Sequence, residues 1–156
     1  MKLSQLLKPD LIIEDLKGEN VEEVLKEMVN FLKNKNLILK ERELCQKLLE
    51  RERLGSTGIG EGIAIPHCKF KGVSNPVVLL AISRKGVKFN SLDGKPSYVF
   101  FLVISSPVNP SLHLQILAAV AHIARKGENL IKAFLKSKNL DQILKIIRNE
   151  EENLSK

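Results

Sequence analysis

The sequence predicts a single α/β domain, a small sheet with helices on its faces. Three observations carry that prediction. Two runs in mid-chain, "PVVLLAIS" (76–83) and "SYVFFLVIS" (97–105), are β-branched, aromatic and nearly unbroken in apolarity, which is how strands covered on both faces read. The segments before and after them place apolar residues at helical spacing. A chain of 156 residues with 44% apolar content is long enough to bury one real core.

The elements follow in order. Over 21–34, "VEEVLKEMVNFLKN", the residues Val21, Val24, Leu25, Met28, Val29 and Leu32 share one helical face. Asn20 stands at the capping position, with Glu22 and Glu23 in the first turn. A second helix over 41–53, "ERELCQKLLERER", turns Leu44, Cys45, Leu48 and Leu49 inward before glycines end it. "IAI" (63–65) reads as a short strand running into Pro66. Between the two long strands "FNSLDGKP" carries turn chemistry, with Asp93-Gly94 as its clearest signal. "PSLHLQILAAVAHIARKG" (110–127) is a long helix with Asn109 or Ser111 as its cap and Gly127 at its end. "ENLIKAFLKS" and "LDQILKIIRN" supply two shorter helices, and "EEENLSK" is expected to fray into solvent.

Composition narrows the function classes. The longest apolar runs fall far short of a bilayer span, so no stable membrane insertion is expected. Lys8, Pro9 and Asp10 interrupt any leader-type apolar region. Cys45 and Cys68 are far apart and lack metal-type spacing, which suggests free thiols and a cytoplasmic protein. The net charge of +7 comes from dispersed lysines. With no Trp, a single tyrosine at Tyr98 and no basic stripe, nucleic acid is not an expected partner.

Chemistry concentrates in "GSTGIGEGIAIPHC" (55–68), where Gly55, Gly58, Gly60 and Gly62 fall within eight positions. A nucleotide loop of the Walker type needs a lysine after its last glycine, and here Ile63 follows Gly62. A dinucleotide fingerprint needs strand before helix, and this segment has helix before strand. A metal would have to draw on His67, Cys68 or Cys45, and His113, and no HExxH or CxxC spacing supports it, so neither metal nor cofactor is expected. His67 itself remains. A neutral imidazole with one nitrogen hydrogen-bonded has the other free to attack. A phosphoryl group arriving there would need donors: backbone N–H groups of the glycine loop including Gly58, the hydroxyls of Ser56 and Thr57, and guanidinium charge from Arg51 and Arg53. His113, near a helix N-terminus, is placed to be a second histidine of such a site. His122 lies about half a turn further round that helix, on its polar stripe, and is expected at the surface.

The string "LLERERLGSTGIGEGIAIPHC" (48–68) resembles the active-site segment of phosphotransferase-system (PTS) enzyme IIA domains of the fructose/mannitol/nitrogen-regulatory type, through Glu52, Ile59-Gly60 and Ile63-Ala64-Ile65-Pro66-His67. The similarity runs along essentially the whole chain, including "HLQILAAVAHIA" (113–124). It implies an α/β sandwich around a mixed sheet, with the domain over 1–150 and a tail over 151–156. It implies that His67 is a phosphohistidine fed by an HPr- or NPr-type carrier, that His113 helps hold the phosphoryl group, and that Arg53 is the arginine of the site, with Ser56, Thr57 and Gly58 in the loop around it. An EIIB domain or a regulated protein would be the acceptor. The loop "GSTGIG" resembles the nitrogen-regulatory subtype most; a sugar-specific member of an uptake permease is the alternative, and a non-catalytic regulatory binding module is the alternative of another class. Two residues sit awkwardly in this pattern: Cys68 stands where a glycine is frequent and would make the site sensitive to oxidation, and Glu61 adds a carboxylate beside the phosphoryl site unless it points away.

Overall fold

The computed structural model describes residues 2–154, leaving the side chain of Leu154 aside. The elements run α1 (Leu3–Leu6), a single 3-10 turn (Pro9–Leu11), β1 (Ile12–Ile13), α2 (Val21–Asn34), α3 (Glu41–Leu54), β2 (Gly58–Gly60), β3 (Ile63–Ala64), β4 (His67–Lys69), β5 (Val77–Val87), β6 (Ser97–Ser105), α4 (Pro110–Ala124), α5 (Glu128–Lys136) and α6 (Leu140–Leu154). The architecture is the expected α/β one, a mixed sheet with helices on both faces. Its strand order is β1-β5-β6-β3-β2, with β4 also pairing to β6.

The two apolar runs form the centre. β5 and β6 are antiparallel, from Val77 opposite Ile104 to Ile82 opposite Val99, and the stretch from Val77 to Ser83 and all of β6 but Tyr98 are buried. Phe100 meets Phe89 edge-on, with ring centroids 5.1 Å apart. The sheet is mixed because β1 joins β5 in parallel while β3 and β4 join β6 in parallel. α2 and α3 pack on each other and on β5 and β4, whereas α4 packs on β6 and on α6, which also carries α1 and α5.

Caps explain the helix starts. Asn20 Oδ1 accepts from Glu23 N–H at 3.0 Å, and of the two candidate caps for α4 it is Asn109 that accepts, from Leu112 N–H at 3.1 Å. The expected fraying does not begin at residue 151. α6 continues to Leu154, and Glu151 accepts from Ser4 N–H at 2.5 Å and from the Ser4 hydroxyl at 3.1 Å, so an acidic segment that reads as tail is held against α1. The last two residues of that tail lie outside the described residues.

Residues 63–69 determine the site. β3 and β4 run in the same register along β6, with Ile63 opposite Val99 and His67 opposite Val103, so they are one line interrupted at Ile65–Pro66. Proline has no N–H to give to a ladder. Pro66 contributes only its carbonyl, to Val103 N–H at 3.0 Å, and Ile65 N–H turns to Thr57 O at 2.9 Å instead. Ile65 faces the β2 side and not β6, and because Thr57 N–H goes to Glu52, the Ile65 carbonyl is available to His67 Nδ1.

Candidate functional site

His67 and His113 come together across β6. Their ring centroids are 5.9 Å apart and their planes are tilted by 51°. His67 Nδ1 sits 2.7 Å from Ile65 O. A carbonyl only accepts, so Nδ1 carries the proton and Nε2 keeps its lone pair. Burial lowers the His67 pKa from its ordinary value, Arg51 lowers it further, and the Ile65 bond and Glu52 oppose the shift. The ring is therefore neutral at physiological pH, which is the nucleophilic form.

His113 lies in the first turns of α4 and is only 4% exposed. Its Nδ1 is hydrogen-bonded with the hydroxyl of Ser105, the last residue of β6. Burial, then the electrostatic influence of His67 and Lys69, lowers its pKa as well. His122 is exposed, as its stripe suggested.

The arginine whose charge acts on His67 is Arg51. Residues three and four along a helix share a face, so Arg51 and Glu52 extend the buried stripe of Leu44 and Leu48 and are half-buried themselves, whereas Arg53 is exposed. Arg51 donates from a terminal guanidinium nitrogen to Gly55 O at 2.8 Å, and its charge reaches His67. Arg53 faces a groove between α2 and α3 shared with Lys26, Asn30, Cys45 and Leu49. Arg53, expected at the site, stands two residues along the helix from Arg51, a rotation of about 200°, and is exposed at that other groove.

The loop is a brace, and its expected phosphoryl donors are already used. Glu52 accepts from Thr57 N–H at 3.0 Å and from the Thr57 hydroxyl. Gly58 N–H goes to Ser56 Oγ at 3.0 Å, and the Ser56 hydroxyl donates to Phe89 O at 2.9 Å. Thr57 is 4% exposed, and polar groups so deeply placed take internal partners. In this structure Thr57, Gly58 and Ser56 thus spend these groups on internal partners.

The glycines answer a backbone need. β2 and β3 form a hairpin whose central residues, Glu61 and Gly62, both have positive φ (55° and 84°), as two-residue hairpin turns of this hand require. At Gly58 the need is close approach: a Cβ there would lie 3.0 Å from Ser91 Cα. Glu61 is no obstacle to an anion at His67. Its N–H is held by Asp93 Oδ2 at 3.0 Å and its carboxylate lies over Gly127 at the start of α5, 2.2 Å from where a Cβ would stand. Burial at Cys68 argues against the expected oxidation sensitivity. Burial pushes its thiol up to about 12, away from the reactive thiolate.

Sequence reasoning missed Ser105 and Lys69 and undervalued Glu52. The extended stripe Leu44–Leu48–Arg51/Glu52 was the one available signal; nothing local marks Ser105. Among the described residues no group of three His, Cys, Asp or Glu side chains gathers as a metal donor set, and no helix is long and apolar enough to cross a membrane.

Comparison with known proteins matches residues 5–150 to the family described as the phosphoenolpyruvate-dependent sugar phosphotransferase system, EIIA 2. The chain is 32% identical over 151 residues to the PTS system fructose-specific EIIABC component of Bacillus subtilis (strain 168), covering 97% of this chain and 24% of that protein's length. It is 30% identical over 150 residues to a nitrogen regulatory protein of Bradyrhizobium diazoefficiens, covering 94% of this chain and 95% of the relative. Among solved structures, nitrogen regulatory protein IIA-Ntr from Neisseria meningitidis superposes with a TM-score of 0.84 at 24% identity, over 93% of this chain and 98% of that one, a likeness of fold.

Proposed function

The chain belongs to the PTS EIIA type 2 family, and from that premise we propose that it carries a phosphoryl group on Nε2 of His67. The observation that carries this is the bond from His67 Nδ1 to Ile65 O at 2.7 Å. It directs a free lone pair outward from a ring that burial keeps neutral.

In the proposed step the His67 Nε2 lone pair attacks phosphorus of a phosphohistidine on an HPr- or NPr-type carrier. The P–Nε2 bond forms as the donor's P–N bond breaks, and that electron pair returns to the donor imidazole. Attack leaves positive charge on the His67 ring, and the Nδ1–H bond to Ile65 O stabilises it. The phosphoryl oxygens fall to Arg51 and to His113, whose ring centroid at 5.9 Å leaves room for the group between them. No net proton change occurs, so transfer onward reverses the same step.

For the acceptor, a regulated protein is the first reading, supported by 30% identity to a nitrogen regulatory protein over nearly the whole chain. Transfer to an EIIB domain in sugar uptake is the second, supported by the fructose-specific relative.

Intact-mass spectrometry after incubation with phosphoenolpyruvate, enzyme I and a phosphocarrier tests the proposal. The expected result is an acid-labile gain of one phosphoryl group, absent in His67→Ala. Labelling that persists in His67→Ala overturns it. Chasing the labelled protein with a fructose-type EIIB separates the acceptors: rapid loss of label supports the sugar reading and retention supports the regulatory one.

A further inference from the structure

Strand pairing delivers Ser105 to the histidine pair. β4 and β6 pair His67 with Val103 and Lys69 with Ser105, and the Ser105 carbonyl accepts from Phe70 N–H at 2.8 Å, so its backbone is held on both sides. Ser105 is 2% exposed. Among the described residues its hydroxyl has one partner, His113 Nδ1.

The direction of that bond follows from counting donors. A hydroxyl has one proton and two lone pairs. Were Nδ1–H the donor, the Ser105 proton would be left buried without an acceptor, and an orphaned buried donor costs more than an unused lone pair. With Oγ–H donating, the serine proton is satisfied and Nδ1 is the unprotonated nitrogen. A neutral ring then has its proton on Nε2, and burial together with the Lys69 charge favours neutral His113.

Resting on the assignment of His67 as phosphoryl acceptor, we propose that Ser105 is a positioning residue for the transfer: its hydroxyl anchors His113 through Nδ1 and makes His113 Nε2–H the donor to the phosphoryl group. Ile65 and Ser105 thereby impose opposite tautomers on two adjacent histidines. His67 offers a lone pair at Nε2 and His113 offers a proton at Nε2, the pairing that attack on phosphorus and stabilisation of its oxygens require. The reverse tautomer at His113 would turn a second lone pair toward the phosphoryl oxygens and repel them.

Long-range ¹H–¹⁵N correlation spectra of the unphosphorylated protein at neutral pH, with Ser105→Ala and Ser105→Thr, test this. In the parent protein His113 is expected to show an unprotonated-type Nδ1 and a protonated-type Nε2, with His67 showing the reverse. Ser105→Ala should mix the His113 tautomers and slow labelling of His67 by about tenfold, in the range lost when a group orienting a functional histidine is removed. Ser105→Thr, which keeps the hydroxyl, should restore both. A protonated-type Nδ1 on His113 in the parent protein overturns the proposal, as does a Ser105→Ala variant with unchanged tautomers and rate. The spectra need no phosphoryl donor, so they stand or fall separately from the labelling of His67, which His67→Ala tests.

Discussion

The imidazoles of His67 and His113 stand 5.9 Å apart and are each anchored through Nδ1, one to the carbonyl of Ile65 and the other to the hydroxyl of Ser105. The two anchors differ in kind. A carbonyl can only accept a proton, whereas a hydroxyl can give one, so identical side chains acquire different chemistry a ring's width apart. Around them Arg51, Glu52 and the braced loop supply charge and rigidity, and each part makes a separate prediction.

Arg51 and Arg53 should differ sharply. Arg51→Ala is expected to slow single-turnover labelling of His67 by about ten- to a hundredfold, the scale of losing one donor to developing charge at a half-exposed site. Arg53→Ala should stay within about twofold, since its guanidinium lies in the α2/α3 groove. Equal losses in the two variants would return Arg53 to the site.

Glu52 should matter for stability before catalysis. Glu52→Ala strips both partners from Thr57 N–H and its hydroxyl and is expected to cost about 2 kcal/mol, the penalty range for buried donors left unpaired. Urea unfolding measures it. A loss near zero would mean that the loop finds other acceptors.

The histidines should make the fold sensitive to acid. Both pKa values are lowered, first by burial. Below about pH 6.5 the unfolded chain therefore binds protons that the folded one refuses. Their contribution is complete above that value and is lost as pH falls through the lowered native pKa. The urea midpoint should drop between pH 7.5 and pH 5, and it should drop less in the His67→Gln/His113→Gln double variant. Equal drops would assign the effect to carboxylates alone.

Cys68 should resist alkylation in the native state. With its thiol pushed up to about 12 by burial, iodoacetamide at pH 8 should modify it only after unfolding, as followed by peptide mass spectrometry. Rapid native labelling at Cys68 would show that the thiol is reachable as thiolate.

Gly62 should not tolerate a side chain. At φ 84°, with a Cβ placed 2.4 Å from Ile131 Cδ1 and 3.3 Å from Tyr98, Gly62→Ala is expected to cost about 1–3 kcal/mol through backbone strain. Thermal or urea unfolding measures it, and a neutral variant would show that the hairpin turn can relax.

The layer structure was legible because it rests on local periods. Val24, Leu25, Met28, Val29 and Leu32 are buried on α2 as their spacing requires, and the two apolar runs became the central strands because a strand covered on both faces has no polar side to show. The short strands β1, β2 and β4 were not legible. Two or three residues carry too little periodicity, and these strands exist because long-range partners complete their ladders. At the site, His67 and His113 could be singled out by residue type and position. The role of the loop could not: whether Thr57 and Gly58 offer their amides outward or spend them on Glu52 and Ser56 depends on where α3 ends relative to the hairpin.

The sequence by itself determined the five longer helices and the two buried central strands, the family, and the candidate histidine, because propensity, hydrophobic period and motif are properties of neighbours along the chain. Tertiary structure alone decided that the Ile65 carbonyl, passed over by Thr57 N–H, meets the His67 ring, that the Arg51 charge acts on His67 while Arg53 is exposed, and that Ser105 meets His113. Those choices turn on the register of β4 against β6 and the rotation of α3 over the sheet. A shift of one residue in a strand, or of 200° about a helix, changes the hydrogen-bond partner while leaving the local pattern almost untouched.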